Sequence, residues 1–291
     1  NGEKRAGFGM AKKEVKLEVP NAQVYFKSSA DMSEIPDNSV NLIITSPPYW
    51  TLKDYENEDQ IGLGSPSFDK YLEDLERVWQ ECVRVLAPDG KLCINIMPFL
   101  LTGENAEFGR RETRLMLNEI WNSVSKTKKM FQFGLFIWDK RKITRFSSFG
   151  SYPYPPNIFS TYPYEWITVF SKAGKRPKVA QEIKDKSKLT TQEWQDWAIN
   201  SIWEMQPAKA KSEEHPAPFP EEMPKRLIKL YSFHGDTVLD PFLGTGTTAK
   251  VALELGRKAI GYELNLDYKR LISRKLNAAS QTSFDDLQVS D

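Results

Sequence analysis

A strand–turn–helix–strand pattern over residues 237–263 most constrains the fold of this chain. The run TVLDPF predicts a buried strand that ends at Asp240, and LGTGTTA predicts a glycine-rich turn that opens a helix. The next strand, KAIGYE, ends at Glu263. This order is the Rossmann-type unit, in which glycines let the backbone approach a ligand and the second acid accepts ribose hydroxyls. The pattern therefore predicts an α/β fold with a nucleotide-like ligand.

The glycine pattern at 244–249, Gly-x-Gly-x-x-Ala, leaves two ligand classes open. Alone it is equally the fingerprint of a nicotinamide-dependent oxidoreductase. Asp240, Pro241 and Phe242 stand directly before the glycines, however, and an anion there would repel a pyrophosphate. The same carboxylate suits a ligand that carries an ammonium group and a sulfonium. The pattern therefore favours such a ligand over NAD.

A second motif lies at residues 45–50 and has the sequence TSPPYW. The preceding apolar run VNLII predicts a buried parallel strand. Pro47 and Pro48 end that strand because neither offers an N–H. The carbonyls of Ser46 and Pro47 therefore point out of the carboxyl end of the sheet, beside the ring of Tyr49. Carbonyl and hydroxyl oxygens next to an aromatic face suit a planar ring that carries an amino group.

Composition excludes several classes of protein. Hydrophobic residues are 40% and charged residues 27%, as in ordinary soluble globular proteins, and the net charge is only +1. Any nucleic-acid contact must therefore come from local basic patches. No apolar run is long enough to span a membrane, and no secretory signal stands at the start. Cys82 and Cys93 form neither a metal cluster nor a disulfide framework, which fits a reducing cytoplasm. We expect no membrane and no metal.

Together the motifs resemble those of the β-class amino-methylating DNA methyltransferases, which use S-adenosyl-L-methionine. Residues 46–49, Ser-Pro-Pro-Tyr, resemble the catalytic motif of that family. Residues 240–248, Asp-Pro-Phe-x-Gly-x-Gly-Thr-Thr, resemble its cofactor motif. Residues 215–220, His-Pro-Ala-x-Phe-Pro, match the stretch that precedes the cofactor half. The resemblance covers nearly all of residues 22–280, with the motifs in the order of that class.

The resemblance implies a Rossmann-like mixed sheet of seven strands flanked by helices, in a circularly permuted order that puts the catalytic half before the cofactor half. The chain would then divide into a flexible N-terminal arm, a catalytic half, a small target-recognition insertion, a cofactor-binding half and a tail. These parts correspond to residues 1–20, 21–171, 172–210, 211–280 and 281–291.

The resemblance also implies roles for particular residues. The expected catalytic set is Ser46, Pro47, Pro48 and Tyr49. The expected cofactor-binding set is Asp31, Thr45, His215, Pro216, Phe219, Asp240, Pro241, Phe242, Gly244, Gly246, Thr247, Thr248 and Glu263. The expected DNA-binding set is Trp50, Lys140, Arg141, Lys142, Arg145, Lys175, Arg176 and Lys178. For this last set, basic residues interleaved with aromatics suit a surface that tracks phosphates and stacks bases, whereas a solvated charged loop is the plain alternative.

The implied reaction moves a methyl group from S-adenosyl-L-methionine to the exocyclic N4 of a cytosine flipped out of double-stranded DNA. In this family, serine at the first motif position, as at Ser46, is associated with transfer to cytosine N4. Aspartate at that position is associated with transfer to adenine N6, which is the alternative target. A nicotinamide-dependent oxidoreductase or a non-catalytic DNA-binding module is a more remote interpretation. A cognate restriction endonuclease is a further expected partner, and monomer and homodimer both stay open.

Overall fold

The computed structural model describes residues 15–50, 61–62, 67–106, 108–142, 149–150, 153–206 and 220–288. The strands are β1 Lys16–Val19, β2 Ala22–Tyr25, β3 Val40–Thr45, β4 Leu86–Ile96, β5 Phe99–Leu101, β6 Glu112–Arg114, β7 Met130–Asp139, β8 Phe149–Gly150, β9 Ile158–Phe159, β10 Tyr164–Lys172, β11 Ile202–Glu204, β12 Thr237–Asp240 and β13 Lys258–Tyr262. The helices are α1 Phe68–Val85, α2 Met116–Ser125, α3 Gln181–Lys186, α4 Thr191–Glu193, α5 Glu222–Tyr231, α6 Thr247–Glu254 and α7 Lys269–Gln288. A π-helical segment, Trp194–Ile199, continues α4.

Nine strands form the main sheet, in the order β1-β2-β13-β12-β3-β4-β10-β7-β11. The five strands from β2 to β4 run parallel to one another. β10 is antiparallel to both of its neighbours, β4 and β7. The seven strands from β2 to β7 correspond to the mixed seven-stranded sheet that the sequence predicted. The predicted strand number is nevertheless wrong, because β1 and β11 add one strand at each edge.

Three predicted segment boundaries also change. Residues 16–19 of the expected flexible arm form β1, which pairs antiparallel with β2. Residues 281–288 of the expected tail continue α7. The expected insertion at 172–210 contributes β11 to the main sheet, where buried Trp203 stacks on Phe136 with 4.2 Å between ring centroids. Residues 202–204 of this segment are therefore part of the central fold.

Helices cover both faces of the sheet because its central strands are apolar on both sides. In β3, Leu42 and Ile44 join the core on the side of α5, α6 and α7, whereas Ile43 joins the core on the side of α1 and α2. This alternation follows from the two-residue period of a strand. Ser67 caps α1 by accepting a hydrogen bond from the Lys70 N–H. No helix in the described part of the chain is long and apolar enough to cross a membrane.

The neighbouring strands β3 and β12 are the switch point of the sheet. The chain leaves β3 through α1 and enters β4 on one side, and it leaves β12 through α6 and enters β13 on the other. Crossovers that diverge in this way open a crevice at the carboxyl ends of the two strands, which is where open α/β sheets bind ligands. Ser46 and Asp240 stand at these two ends.

Candidate active site

Asp240 lies at the centre of the crevice and is only 1% exposed. Its Oδ1 accepts hydrogen bonds from Thr45 Oγ1 at 2.8 Å and from the Phe242 N–H at 3.0 Å. Its Oδ2 accepts one from Thr248 Oγ1 at 2.7 Å. Burial raises the pKa of this carboxyl to about 6, and the three hydrogen bonds counter part of that shift.

This geometry changes the role expected of three cofactor-binding residues. The hydroxyls of Thr45 and Thr248 donate to Asp240, and both oxygens of Asp240 accept from the protein. The sequence places these three residues in the predicted cofactor-binding set. Their hydrogen bonds instead make them a buried support, which ties the catalytic strand β3 to the start of α6. A carboxylate buried at this position attracts a cationic ligand through its charge.

Glu263 follows β13 and faces the glycine-rich turn. Its Oε2 accepts the Gly244 N–H at 2.7 Å, and its Oε1 accepts the Asn265 N–H at 2.8 Å. Burial raises the pKa of Glu263 to about 7, while these backbone hydrogen bonds lower it. Each carboxylate oxygen keeps a second lone pair. A ligand with two neighbouring hydroxyls can donate to them, so this side chain suits a ribose.

The turn before α6 leaves the amino end of that helix open. Gly244 and Gly246 have φ angles of +55° and +88°, a left-handed conformation that glycine adopts without strain. Gly246 is the N-cap residue of α6 and supplies no side-chain cap. The first-turn amides, starting at Thr247, can therefore receive a carboxylate. An anion site at one end and a diol acceptor at the other fit the amino-acid and ribose ends of S-adenosyl-L-methionine.

The remaining predicted cofactor residues lie around this turn or outside the described chain. Pro241 is buried, and Phe242 meets Trp79 edge-on with 6.3 Å between ring centroids. Asp31 follows β2, and its Oδ1 accepts the Ser33 N–H at 2.9 Å. The predicted residues His215, Pro216 and Phe219 lie outside the described residues, as does Arg145 of the DNA-binding set.

The Ser-Pro-Pro-Tyr motif forms a fixed exit from β3. The hydroxyls of Ser46 and Tyr49 are 3.0 Å apart and share a hydrogen bond. The ring of Tyr49 is buried and meets Phe99 edge-on at 5.9 Å. Tyr71 of α1 donates to the Pro48 carbonyl at 2.8 Å, so this carbonyl already has a partner.

Tyr71 lies among the buried apolar residues of α1, so its place in the sequence indicates a core residue and not a site residue. The available signal was its hydroxyl, since a buried tyrosine needs a hydrogen-bond acceptor.

The prediction that Trp50 contacts DNA is wrong. Its side chain is only 6% exposed and meets Phe68 edge-on with 5.3 Å between ring centroids. Its φ of +43° turns the chain at this point, and the ring packs in the core beneath α1. A base cannot stack on a ring held in this way.

Three predicted DNA-binding residues, 140–142, follow β7 at the same edge of the sheet as Ser46. β7 and β3 both run toward this edge. Each of the three residues has a carboxylate partner. Lys140 pairs with Glu165, Arg141 with Asp139 at 2.7 Å, and Lys142 with Glu204 at 2.7 Å. Arg141 and Lys142 are well exposed, so phosphates can reach them.

The other three predicted DNA-binding residues, Lys175, Arg176 and Lys178, lie at the opposite edge. β10 runs antiparallel to β4, so the chain after Lys172 emerges at the amino ends of the parallel strands. There Arg176 pairs with Asp236, which stands just before β12. These three predicted DNA-binding residues therefore do not lie at the edge of the sheet that carries Ser46. The basic composition of the segment was identified correctly, but its position depends on the direction of β10.

Metal and thiol chemistry have little support in the described part of the chain. It contains no group of three His, Cys, Asp or Glu side chains that could hold a metal ion. Cys82 and Cys93 are free and buried, and burial raises the pKa of both thiols well above its usual range. Neither thiol is therefore activated as a nucleophile.

Comparisons with known proteins agree with this geometry. Residues 40–274 match the N6/N4 Mtase family model, described as DNA methylase. Type II methyltransferase M.MthZI of Methanothermobacter thermautotrophicus is 34% identical over 285 residues, covering 90% of this chain and 78% of that protein. M.MjaI of Methanocaldococcus jannaschii is 34% identical over 288 residues, covering 88% and 91%.

A solved structure supports the same assignment. TTHA0409 of Thermus thermophilus, a putative DNA modification methylase crystallised with S-adenosyl-L-methionine, superposes with a TM-score of 0.68. It is 30% identical, and the match covers 87% of this chain and 93% of that one. With the crevice, the glycine-rich turn and the Ser-Pro-Pro-Tyr exit in place, the chain belongs to the N6/N4 DNA methylase family.

Proposed function

We propose that this DNA methyltransferase transfers a methyl group to the exocyclic N4 of cytosine in a base flipped out of duplex DNA. The methyl donor is S-adenosyl-L-methionine, which supplies an electrophilic methyl group on a sulfonium. The observation that carries the proposal is the Ser46–Tyr49 hydroxyl pair, 3.0 Å apart at the exit of β3. Ser46 directly follows Thr45, whose hydroxyl donates a hydrogen bond to Asp240 beneath the glycine-rich turn.

The Ser-Pro-Pro-Tyr motif would activate the exocyclic amine of the base, which is a poor nucleophile. The lone pair of an aromatic amine is delocalised into the ring. Ser46 Oγ and the Pro47 carbonyl oxygen can accept hydrogen bonds from the two N–H groups of the amine and draw its nitrogen toward tetrahedral geometry. The Pro-Pro backbone and the Tyr71–Pro48 hydrogen bond hold these acceptors in place in advance. The buried ring of Tyr49 would lie against the flipped base.

The choice of cytosine N4 rests on Ser46. In the resemblance described above, serine at this position accompanies N4 transfer to cytosine and aspartate accompanies N6 transfer to adenine. Both amines offer two protons, and the matched family includes both activities. The support for cytosine is therefore the identity of Ser46 at this motif position, and identification of the methylated nucleoside tests it.

We assign DNA contact to the edge of the sheet that carries Ser46. Arg141 and Lys142 are exposed there, at the end of β7. Residues 21–171 and 211–280 keep their proposed catalytic and cofactor-binding roles. We confine target recognition to those parts of 172–210 that reach the same edge, near β11. The Type II designation of the two archaeal relatives supports a restriction endonuclease as a cellular partner.

The experiment that tests the catalytic assignment compares Ser46→Ala with Tyr49→Phe. Ser46→Ala removes an acceptor for the amine, so we expect kcat on unmethylated DNA to fall about 100-fold, with the Kd for S-adenosyl-L-methionine unchanged. Tyr49→Phe keeps the ring and loses only the hydrogen bond to Ser46, so a smaller loss, about tenfold, is expected. Calorimetry measures the cofactor Kd. Equal losses of turnover and of cofactor affinity in Ser46→Ala would contradict the role of Ser46.

A further inference from the structure

A buried polar chain lies beside the catalytic strand and is not part of either motif. Asn95, near the end of β4, is 3% exposed, and Glu165 of β10 is 5% exposed. Asn95 Nδ2 donates to Glu165 Oε2 at 2.6 Å. The other carboxylate oxygen of Glu165 pairs with Lys140, whose Nζ lies 4.3 Å from the ring centroid of Trp138. A lysine, a carboxylate and an amide are thus linked in series.

The amide end of this chain reaches the position next to Ser46. β3 and β4 are paired in parallel, and the last pair is Thr45 opposite Ile94. Continuing this register by one residue brings Asn95 opposite Ser46, the first residue after β3. Adjacent strands lie about 4.8 Å apart. Asn95 also faces the same side of the sheet as Cys93, which belongs to the core under α5 and α6. Asp240 of β12 is on that side as well, by the same alternation from Val238.

The hydrogen bond to Glu165 determines which atom of the Asn95 amide is left without a partner. An ionised carboxylate only accepts hydrogen bonds, so the NH₂ group of Asn95 must face Glu165. Its Oδ1 therefore points away from Glu165. This oxygen is buried, and no described residue donates to it. A buried acceptor without a donor is rare in folded proteins, and it is expected where a substrate supplies the donor.

We propose that Asn95 Oδ1 accepts a hydrogen bond from the target amino group, sharing one of its two protons with Ser46 Oγ in a three-centre hydrogen bond, and that Glu165 is the positioning residue that fixes this orientation of the amide. The proposal rests on the proposed function of this site. The ion pair with Lys140 holds the Glu165 side chain in place. The arrangement also discriminates between bases. An amino group donates to Asn95 Oδ1, whereas the carbonyl oxygen of a thymine would face Asn95 Oδ1 as a second acceptor and be repelled.

Two substitutions at Asn95 separate the acceptor role from packing. Asn95→Asp keeps an acceptor, and one of the two adjacent carboxyls takes up a proton because both cannot ionise at hydrogen-bond distance. Asn95→Leu has a similar volume and no acceptor. With unmethylated plasmid DNA and S-adenosyl-L-methionine, we expect kcat of Asn95→Asp within about tenfold of wild type and kcat of Asn95→Leu about 100-fold lower, with equal cofactor Kd.

A packing role predicts the reverse order, since leucine suits a buried site better than a second carboxyl. Equal kcat values for the two variants, or a more active Asn95→Leu, would overturn the proposal. A wild-type chain that transfers no methyl group to DNA would instead overturn the proposed function, so the two failures are distinguishable.

Glu165→Gln tests the positioning role without changing volume. A glutamine can donate as well as accept, so the Asn95 amide is free to turn its NH₂ group toward the base. We expect kcat to fall about tenfold with unchanged cofactor Kd. The matched control is Asp236→Asn, which neutralises the buried partner of Arg176 at the opposite edge of the sheet. A kcat for Glu165→Gln equal to that of this control would overturn the role of Glu165.

Discussion

Thr45 Oγ1 donates a hydrogen bond of 2.8 Å to Asp240 Oδ1, in a fully buried contact between residues 195 positions apart. Thr45 ends the strand that leads into the catalytic motif, and Asp240 ends the strand that leads into the glycine-rich turn. The contact therefore fixes Ser46, the proposed acceptor for the target amine, relative to the glycine-rich turn. In a transfer reaction that depends on aligning two bound molecules, such fixation is a direct contribution to rate.

Thr45→Val should weaken the cofactor site while keeping the shape of the side chain. The substitution removes one donor to Asp240, so we expect the unfolding free energy to fall by about 1–3 kcal/mol. The Kd for S-adenosyl-L-methionine should rise about tenfold. Denaturant unfolding and calorimetry measure the two effects. Thr168→Val is the control, because Thr168 is equally buried but bonds only Gln132 on the far side of the sheet. A cofactor Kd that changes equally in both variants would contradict the role of Thr45.

Asp240 should make the free protein less stable as pH rises through 6. Its pKa is about 6 in the folded chain and 3.8 in the reference state, so the folded form binds the proton more tightly. The stability present below pH 3.8 is lost as pH rises through 6, by about 3 kcal/mol in total. Asp240→Asn lacks this titration. Between pH 4 and pH 7 the unfolding free energy of the variant should therefore gain about 2 kcal/mol relative to wild type, because pH 4 already lies above the reference pKa of 3.8. Parallel pH curves for the two proteins would refute this expectation.

Glu263 should make cofactor binding tighten with pH. Its pKa is raised to about 7 by burial, and ribose hydroxyls that donate to it favour the ionised form. Below pH 7 binding must release the proton, so the Kd for S-adenosyl-L-methionine should fall about tenfold from pH 6 to pH 8 and then level off. Calorimetry in two buffers of different ionisation enthalpy detects the released proton. Glu263→Gln should bind more weakly with no pH dependence, and a variant that keeps the wild-type pH profile would exclude Glu263 as its source.

Lys172 should support stability without taking part in the reaction. Its buried Nζ donates to the carbonyls of Val83 and Leu86, at 2.7 and 2.5 Å, and to Asn38 Oδ1 at 2.8 Å. Lys172→Met leaves these acceptors unpaired, so we expect a loss of about 3 kcal/mol in unfolding free energy with kcat unchanged below the new melting temperature.

The control for this substitution is Lys175→Met at an exposed position three residues away, where stability should stay within about 0.5 kcal/mol of wild type. A fall in kcat of Lys172→Met at a temperature where the variant is fully folded would contradict a purely structural role.

Local signals were sufficient for the parts of the chain that carry the motifs. The helix from Phe68 begins at its serine cap, and the strands before Ser46 and Gly244 are apolar runs with clear ends. These segments are determined by neighbours in sequence, so the crevice at β3 and β12 followed from them.

Features that depend on distant pairing could not be predicted in the same way. β1 and β11 are short edge strands whose pairing partners, not their composition, make them strands. The position of Trp50 beside the catalytic motif suggests a surface for base stacking, but in the fold its ring packs against Phe68 and Tyr71 of α1. Lys175 lies at the wrong edge for the catalytic site because β10 is antiparallel, and no local pattern gives strand direction.

The most direct test of the central claim is to incubate the purified chain with labelled S-adenosyl-L-methionine and unmethylated genomic DNA, digest the DNA to nucleosides and identify the labelled product by mass spectrometry. The account predicts N4-methylcytosine. Labelled N6-methyladenine would contradict the assignment of the target base, and DNA without label, from a chain shown by calorimetry to bind the cofactor, would contradict the proposed activity itself.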